Sequence, residues 1–416
     1  MQPVTTTTAD STDASTAASP PAINPGLPLQ RIASVDVYRG FVMLLMMAEI
    51  LSFRRVAEQL PESGFWQFLS FHQDHVPWTG CSLHDLIQPS FSFLVGVALP
   101  FSLASRHARG ATFGPLFRHA LVRALILIVL GIFLRSMHRE QTYFTFEDTL
   151  TQIGLGYGFL FVLGFGSVRV QLGALLRLLT GYWAAFALYP LPGAAFDYAA
   201  AGITPDWGHN LGGFAAHWNK NTNLAWAFDQ WFLNLFPREK PFRFNGGGYA
   251  TLSFIPTLAT MILGLLAGNM LKAARPQLSK VKGFVLAGLL LIVLGLLCHY
   301  TGLNPIVKRI WTPAWVLFSG GCCFLLLAFF YGLVDGAGYR KWAFPLLVIG
   351  MNSIAAYVLA DGFAGFISGS FYIHLGKDFD MVLGPAYASL VKGGLVLLVE
   401  WYILYWMYRR KLFLKI

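Results

Sequence analysis

Charge is scarce in this chain: Asp, Glu, Lys and Arg make up 12% of 416 residues, against 56% hydrophobic residues. So little polar side chain cannot cover a soluble globule of that size, which excludes an ordinary water-soluble enzyme. Cysteine is nearly as sparse, with four residues, and no CxxC is present. The chain also lacks HExxH, GxxxxGK[ST] and any dinucleotide fingerprint following a strand. Metalloenzyme, nucleotide-hydrolysing and Rossmann chemistry therefore have no motif to stand on, and no metal is expected. Acidic residues are the rarer sign, 20 against 30 basic, for a net charge of +10. The basic residues are scattered, so this excess reads as membrane orientation and anionic-lipid contact, with no nucleic-acid partner.

What the chain has in abundance is apolar runs of membrane length. A crossing helix needs about 20 apolar residues, and ten candidates are found. They run from Val35 to Phe53, Leu86 to Ala104, Ala120 to Ser136, Ile153 to Val168, Leu172 to Leu191, Leu252 to Leu271, Gly283 to His299, Pro313 to Val334, Pro345 to Ala360 and Leu383 to Tyr408. An eleventh, re-entrant segment is possible at Phe363 to Tyr372. The expected fold is an all-α, polytopic transmembrane helical bundle. More than half of the 30 Lys and Arg fall in connections on the side of the N-terminus, including Arg106, Arg109, Lys280, Lys282, Arg340 and Lys341. Cytoplasmic loops hold such an excess, so both termini are expected in the cytoplasm.

Residues 1–28 form a Thr, Ser, Ala and Pro tract without apolar periodicity, expected to be a disordered tail preceding a membrane domain over residues 29–416. One long outer loop, residues 192–248, is too long for a simple connector. It holds Trp207, His209, Asn210, His217, Trp218, Asn219, Asn221, Asn223, Trp226, Asp229 and Trp231. Indoles beside amides suit carbohydrate, although tryptophans also serve as interface anchors. Cys81 and Cys298 lie near the outer face and pair only if their backbones approach.

The most informative stretch is His72-Gln-Asp-His75-Val-Pro-Trp78-Thr-Gly80, leading into Asp85-Leu-Ile-Gln-Pro89. Two histidines, a carboxylate and a tryptophan between apolar runs are costly to keep at a membrane unless they do chemistry or recognition. Among the ionisable residues of the spans, Asp36 and Arg39 share a helix face, either as a structural salt bridge or with Arg39 on a phosphate. Glu49 is placed to face the loop of His75. Asp85 opens the second span as a helix cap or as a ligand of the site. Asn352, deep in a span, either joins helices or lines a passage.

Five segments carry a resemblance. Arg31-Ile-Ala-Ser-Val-Asp36-Val-Tyr-Arg39-Gly40, His75-Val-Pro-Trp78-Thr-Gly80, Asp85-Leu-Ile-Gln-Pro-Ser-Phe-Ser-Phe-Leu-Val-Gly96, Arg309-Ile-Trp-Thr-Pro-Ala-Trp-Val-Leu-Phe-Ser-Gly320 and Pro345-Leu-Leu-Val-Ile-Gly-Met-Asn352-Ser353 resemble, in order, the heparan-alpha-glucosaminide N-acetyltransferase family and its bacterial relatives. The resemblance implies a transmembrane acetyltransferase that takes acetyl from cytoplasmic acetyl-CoA and places it on the amine of a glucosamine-type sugar across the membrane. His75 matches the family's active-site histidine, as general base or acetyl carrier, with Glu49 as its catalytic companion. Arg39, with Asp36, and Arg123 are expected to hold CoA phosphates, while Trp78, Asp85 and Asn352 are expected at the substrate.

Two departures from the family pattern lie near the histidine: Thr79 stands where the family commonly has asparagine, and Glu49 or Ile50 where it has another. The family's additional N-terminal lumenal region and leading span are not expected here, so a bacterial cytoplasmic (inner) membrane is the expected location. Expected partners are the glycan acceptor, the bilayer and, as an open assembly, a homodimer. The rival readings are a transporter or flippase for an amino sugar or glycan, and an envelope polysaccharide O-acetyltransferase.

Overall fold

The structure, a computed structural model, describes residues 32–137, 139–204 and 206–414; the tail expected over residues 1–28 and Arg31 lie outside them. Every regular element among the described residues is helical, and the sole β feature is one isolated antiparallel bridge, Thr79 with Val307. Seven helical segments are long and apolar enough to cross a membrane, which makes this a multi-pass membrane protein.

The chain enters through α1 (Ala33–Met47), which tightens into a 3-10 turn at Ala48–Leu51. Two short helices, α2 (Phe53–Gln59) and α3 (Gly64–Gln73), lead to the His75 loop. Helix α4 (Ile87–His107) and helix α5 (Phe113–Ser136) follow. Next come α6 (Thr149–Leu163), started by the Asp148 carboxylate accepting from the Leu150 and Thr151 amides, and α7 (Val168–Ala187). The long connection that follows is folded, with a 3-10 turn at Gly213–Trp218 and α8 (Leu224–Phe232) capped by Asn223. Helices α9 (Phe254–Lys272), α10 (Gln277–Tyr300) and α11 (Pro313–Phe330) then run in succession.

The last stretch departs from expectation. The anticipated span from Pro345 to Ala360 is interrupted at Asn352, leaving α12 (Phe344–Met351) as a short helix. From Ser353 the chain runs as α13 (Ser353–Val358), a π-type turn at Leu359–Phe363 and α14 (Ala364–Leu375), so the expected re-entrant segment belongs to one span, Ser353–Leu375. Helix α15 (Ala388–Arg409) closes the bundle.

Burial separates core from rim. The α9 span is 78% buried and stands at the centre, whereas the α10 span is 17% buried and turns Leu286 and Leu290 outward. With no hydrophobic drive between helices in lipid, close packing of small residues must hold them together. A methyl group on Gly40 would sit on the Leu346 carbonyl oxygen, and one on Gly350 on that of Asp36, so α1 and α12 meet backbone to backbone. Gly96 and Gly264 do the same for α4 and α9.

Candidate active site

Loop 74–82 is built from backbone pairing and one buried indole. Thr79 bridges Val307, and the Gly80 amide donates to the Ile306 carbonyl at 3.1 Å. Gly80 adopts φ +109°, a conformation that disfavours side chains. Trp78 is fully buried, and its Nε1 donates to the Trp218 carbonyl at 3.1 Å. On the other strand of the bridge, Thr312 caps α11 by accepting from the Trp315 amide, while its hydroxyl donates to the Pro305 carbonyl at 2.7 Å. Pro313 follows at the first helical turn. Two distant loops are thus fixed side by side.

Their junction brings together His75, Asp85 and Lys308. His75 Nδ1 lies 2.8 Å from Asp85 Oδ1, and Lys308 Nζ lies 3.3 Å from the same oxygen. Lys308 Nζ is also 3.1 Å from His75 Nδ1 and 3.5 Å from Nε2. The other Asp85 oxygen accepts from the Ser82 amide at 3.0 Å, the Ser82 hydroxyl at 3.1 Å and the Val76 amide at 3.3 Å. A carboxylate at Nδ1 favours the tautomer carrying its proton there, which leaves the Nε2 lone pair for chemistry. The His84 ring packs against His75 with centroids 4.6 Å apart. Burial pushes the Lys308 amine down from its usual value, Asp85 pulls it up, and Arg309 pushes it down again. Burial, then Asp85, raises the Cys81 thiol, so that cysteine is no thiolate nucleophile. Both Cys81 and Cys298 are free thiols.

His75 keeps about a third of its side chain exposed (34%) and lines a cavity of about 420 Å³ with Arg54, Gln67, Phe71 and Asp74. A second cavity, about 460 Å³, lies between α1, α4, α5, α6 and the Asn352 break. Arg39 and Arg123 line it, together with Tyr157 and Tyr357. Asp36 holds Arg39 at 3.1 Å, and Arg123 donates to the Tyr157 hydroxyl at 3.1 Å with its guanidinium over that ring. The two cavities share no lining residue.

Several residues stand elsewhere than expected. Glu49 is largely exposed, and its carboxylate sits 3.8 Å from His84 Nε2; Asp85, not Glu49, is the carboxylate on His75 Nδ1. Asp85 caps no helix among the described residues and lines neither of these two cavities: it is 1% exposed and saturated by protein donors. Trp78 has no exposed surface to offer a ligand, and its part is to anchor the loop. Asn352 is buried, donates to the Leu412 carbonyl at 2.9 Å and accepts from the Leu414 amide at 3.1 Å. It thereby pins the C-terminal segment, whose Phe413 and Leu414 wall the Arg39 cavity. The amides of the long loop serve the backbone: Asn219 pairs with both groups of Leu211, and Asn221 donates to the carbonyls of Ala201 and Asn245.

Sequence reasoning gave no role to Lys308, and it included Arg309 only as the first residue of a resemblance segment. Arg309 donates to the Gly247 carbonyl at 2.8 Å and to the Val76 carbonyl at 3.1 Å, clamping the His75 loop. The available signal was two adjacent cations, Lys308 and Arg309, directly ahead of Trp311-Thr312-Pro313 in a short connection between apolar spans.

No family model matches the chain. Two curated proteins are similar to it. The heparan-alpha-glucosaminide N-acetyltransferase of Homo sapiens is 23% identical over 93% of this chain and 60% of its own length. That of Mus musculus is 24% identical over 79% of this chain and 53% of its own length. The chain thus spans little more than half the length of these relatives. The order of the motifs and the extent of the match make this chain a distant relative of the heparan-alpha-glucosaminide N-acetyltransferases.

Proposed function

We propose that this protein is a membrane acetyltransferase that moves acetyl from acetyl-CoA to the amine of a glucosamine-type sugar, with His75 at the reacting centre. The observation that carries the reading is the His75, Asp85 and Lys308 cluster, in which an imidazole oriented by a buried carboxylate also lines a cavity. The two similar curated proteins, both N-acetyltransferases by name, support it.

On a direct route, Nε2 takes the proton as the sugar amine attacks the thioester carbonyl; the C–N bond forms, the C–S bond breaks and CoA leaves as thiolate. On a two-step route, Nε2 attacks first, CoA thiolate departs, and the amine then displaces the imidazole from the acetyl group, with the freed Nε2 taking the amine proton. Either route develops positive charge on His75, which the Asp85 carboxylate stabilises. Lys308, 3.5 Å from Nε2, sets the local field.

Arg39, oriented by Asp36, and Arg123 are the residues suited to CoA phosphates, since guanidinium forks match phosphate oxygens. Asn352 maintains the wall of that cavity through the C-terminal segment. Ten crossings with both termini cytoplasmic would put this cavity at the cytoplasmic mouth and His75 at the opposite leaflet, in a bacterial inner membrane. Ten residues separate Arg39 from Glu49, about 15 Å of helix rise, a depth that an extended pantetheine arm must bridge.

The test is transfer of labelled acetyl. Purified protein with radiolabelled acetyl-CoA and glucosamine is expected to yield N-acetylglucosamine, and His75→Ala to yield none. Sugar movement across a vesicle wall with all label left on CoA would refute the enzyme reading. An ester product would replace the amine acceptor with a hydroxyl.

A further inference from the structure

A cavity of about 630 Å³ lies away from His75, walled by the α5 to α6 connection and the segment after α8. Four cations line it, Arg139, Arg238, Lys240 and Arg243, against a single acid, Glu239. None of the four makes an ion pair among the described residues. Arg139 lies 4.6 Å from the Tyr143 ring centre, while Arg238 lies 5.0 Å from the same ring and donates to the Phe144 carbonyl at 2.7 Å. Cations gathered and held in this way repel one another, so the site favours a ligand of net negative charge.

The place of the cavity in the fold says what kind of anion that is. Its first wall begins at Arg139, three residues past the end of the α5 span, Phe113–Ser136, where the hydrocarbon of a bilayer gives way to headgroups. The last turns of that helix face lipid, with Val129 55% and Phe133 60% exposed. The second wall is approached through α8 and the turn at Leu233–Leu235, which bury Ala225 and Asp229 yet leave Trp231 62% and Leu235 61% exposed. Phe144 of the first wall stacks on Phe236, the residue just ahead of the second, with ring centres 5.0 Å apart. An exposed indole and leucine leading into a cationic pocket at the end of a span offer the two halves of a site for an amphiphile, apolar for its chains and basic for its head. A soluble anion would leave the apolar half in water.

We propose that this cavity holds the headgroup of an anionic phospholipid, its phosphate on Arg139, Lys240 and Arg243 and its acyl chains along Trp231 and Leu235. Arg238, engaged with Phe144, fixes the wall. The inference stands on the cavity and its membrane setting and makes no use of the acetyltransferase reading.

Full-length protein is released from nanodiscs of equal parts phosphatidylglycerol and phosphatidylcholine, and the lipids that stay bound are counted by native mass spectrometry. Among these, phosphatidylglycerol should be about tenfold enriched over the disc, since the cations discriminate a net negative lipid from a zwitterion. Arg139→Gln combined with Arg243→Gln should return the ratio to that of the disc, and Lys240→Gln should lower it partway. A thermal midpoint in uncharged detergent shows that each variant is folded, and Lys240→Gln carries the test should the double variant not be. No enrichment in the parent, or enrichment that survives the substitutions, overturns the proposal. So does displacement of the bound lipid by an equal concentration of glycerol 3-phosphate or of a soluble acidic disaccharide, because the occupant would then be a soluble anion.

Discussion

Replacing Asp85 by asparagine removes one charge and keeps the shape, and its consequences divide cleanly. The asparagine oxygen can still accept from the Ser82 and Val76 amides, but its NH2 then faces His75 Nδ1, where the carboxylate oxygen stood at 2.8 Å. A donor at that position selects the other tautomer, with the proton on Nε2 and no lone pair toward the acceptor. For an imidazole oriented by a carboxylate, loss of the correct tautomer lowers the rate by about 10³ to 10⁴. The same change strips Lys308 of its counter-charge at 3.3 Å, and with the side chain only 5% exposed this destabilises the fold by roughly 3–5 kcal/mol unless the amine sheds its proton. Turnover of labelled acetyl-CoA, measured beside the thermal midpoint in detergent, reads both effects. The double variant Asp85→Asn with Lys308→Met should recover most of the midpoint, because no unpaired buried charge remains, and recover none of the turnover. If Asp85→Asn keeps turnover within about threefold of the parent while His75→Ala is inactive, the carboxylate does not orient the imidazole and the reasoning fails.

If Arg123 holds a CoA phosphate as proposed, Arg123→Gln should raise KM for acetyl-CoA by about tenfold with kcat little changed; initial rates against donor concentration check this. Gly350→Ala should lower the thermal midpoint by an amount equivalent to roughly 1–3 kcal/mol, because the added methyl meets the Asp36 carbonyl of α1 and the helices must part. Asp229 gives a pH-dependent case: burial pushes its carboxyl up to about 7 from the usual 3.8, and only one of its oxygens is partnered, by the Thr251 amide at 2.9 Å. A raised carboxyl contributes stability that is fully present below about pH 3.8 and lost as pH climbs to about 7, so the midpoint of Asp229→Asn should exceed the parent's by more at pH 8 than at pH 5. A difference between variant and parent that is the same at both values would mean that the carboxylate is solvated in the fold.

The spans were legible wherever an apolar run ended in a polar break: the run from Gly283 to His299 lies within α10, and that from Leu252 to Leu271 within α9 and its leading turn. The interruption at Asn352 was not, because residues on either side are equally apolar and only the tertiary claim of Leu412 and Leu414 on its amide turns the chain there. His75 stands out in the sequence because an imidazole between apolar runs is costly at a membrane surface, and the structure sets it beside Asp85 and Lys308. Lys308 did not, since its partner is 233 residues away and nothing local distinguishes it from a topogenic cation. The amides and indoles of the long loop illustrate the limit of composition. Asn219 and Asn221 have the chemistry of sugar ligands, yet whether an amide faces water or a neighbouring carbonyl is decided by packing that composition does not encode.

The pairing of Thr79 with Val307 has a consequence for how the protein is made. A ribosome delivers the imidazole early and its lysine neighbour only after α10 has been threaded into the bilayer, so the nascent chain holds an unfinished centre for most of its synthesis. Fragments ending before Lys308, whether from premature termination or proteolysis, would insert without the complete His75, Asp85 and Lys308 cluster, and supplying the missing C-terminal quarter as a separate polypeptide is the route by which they would complete it.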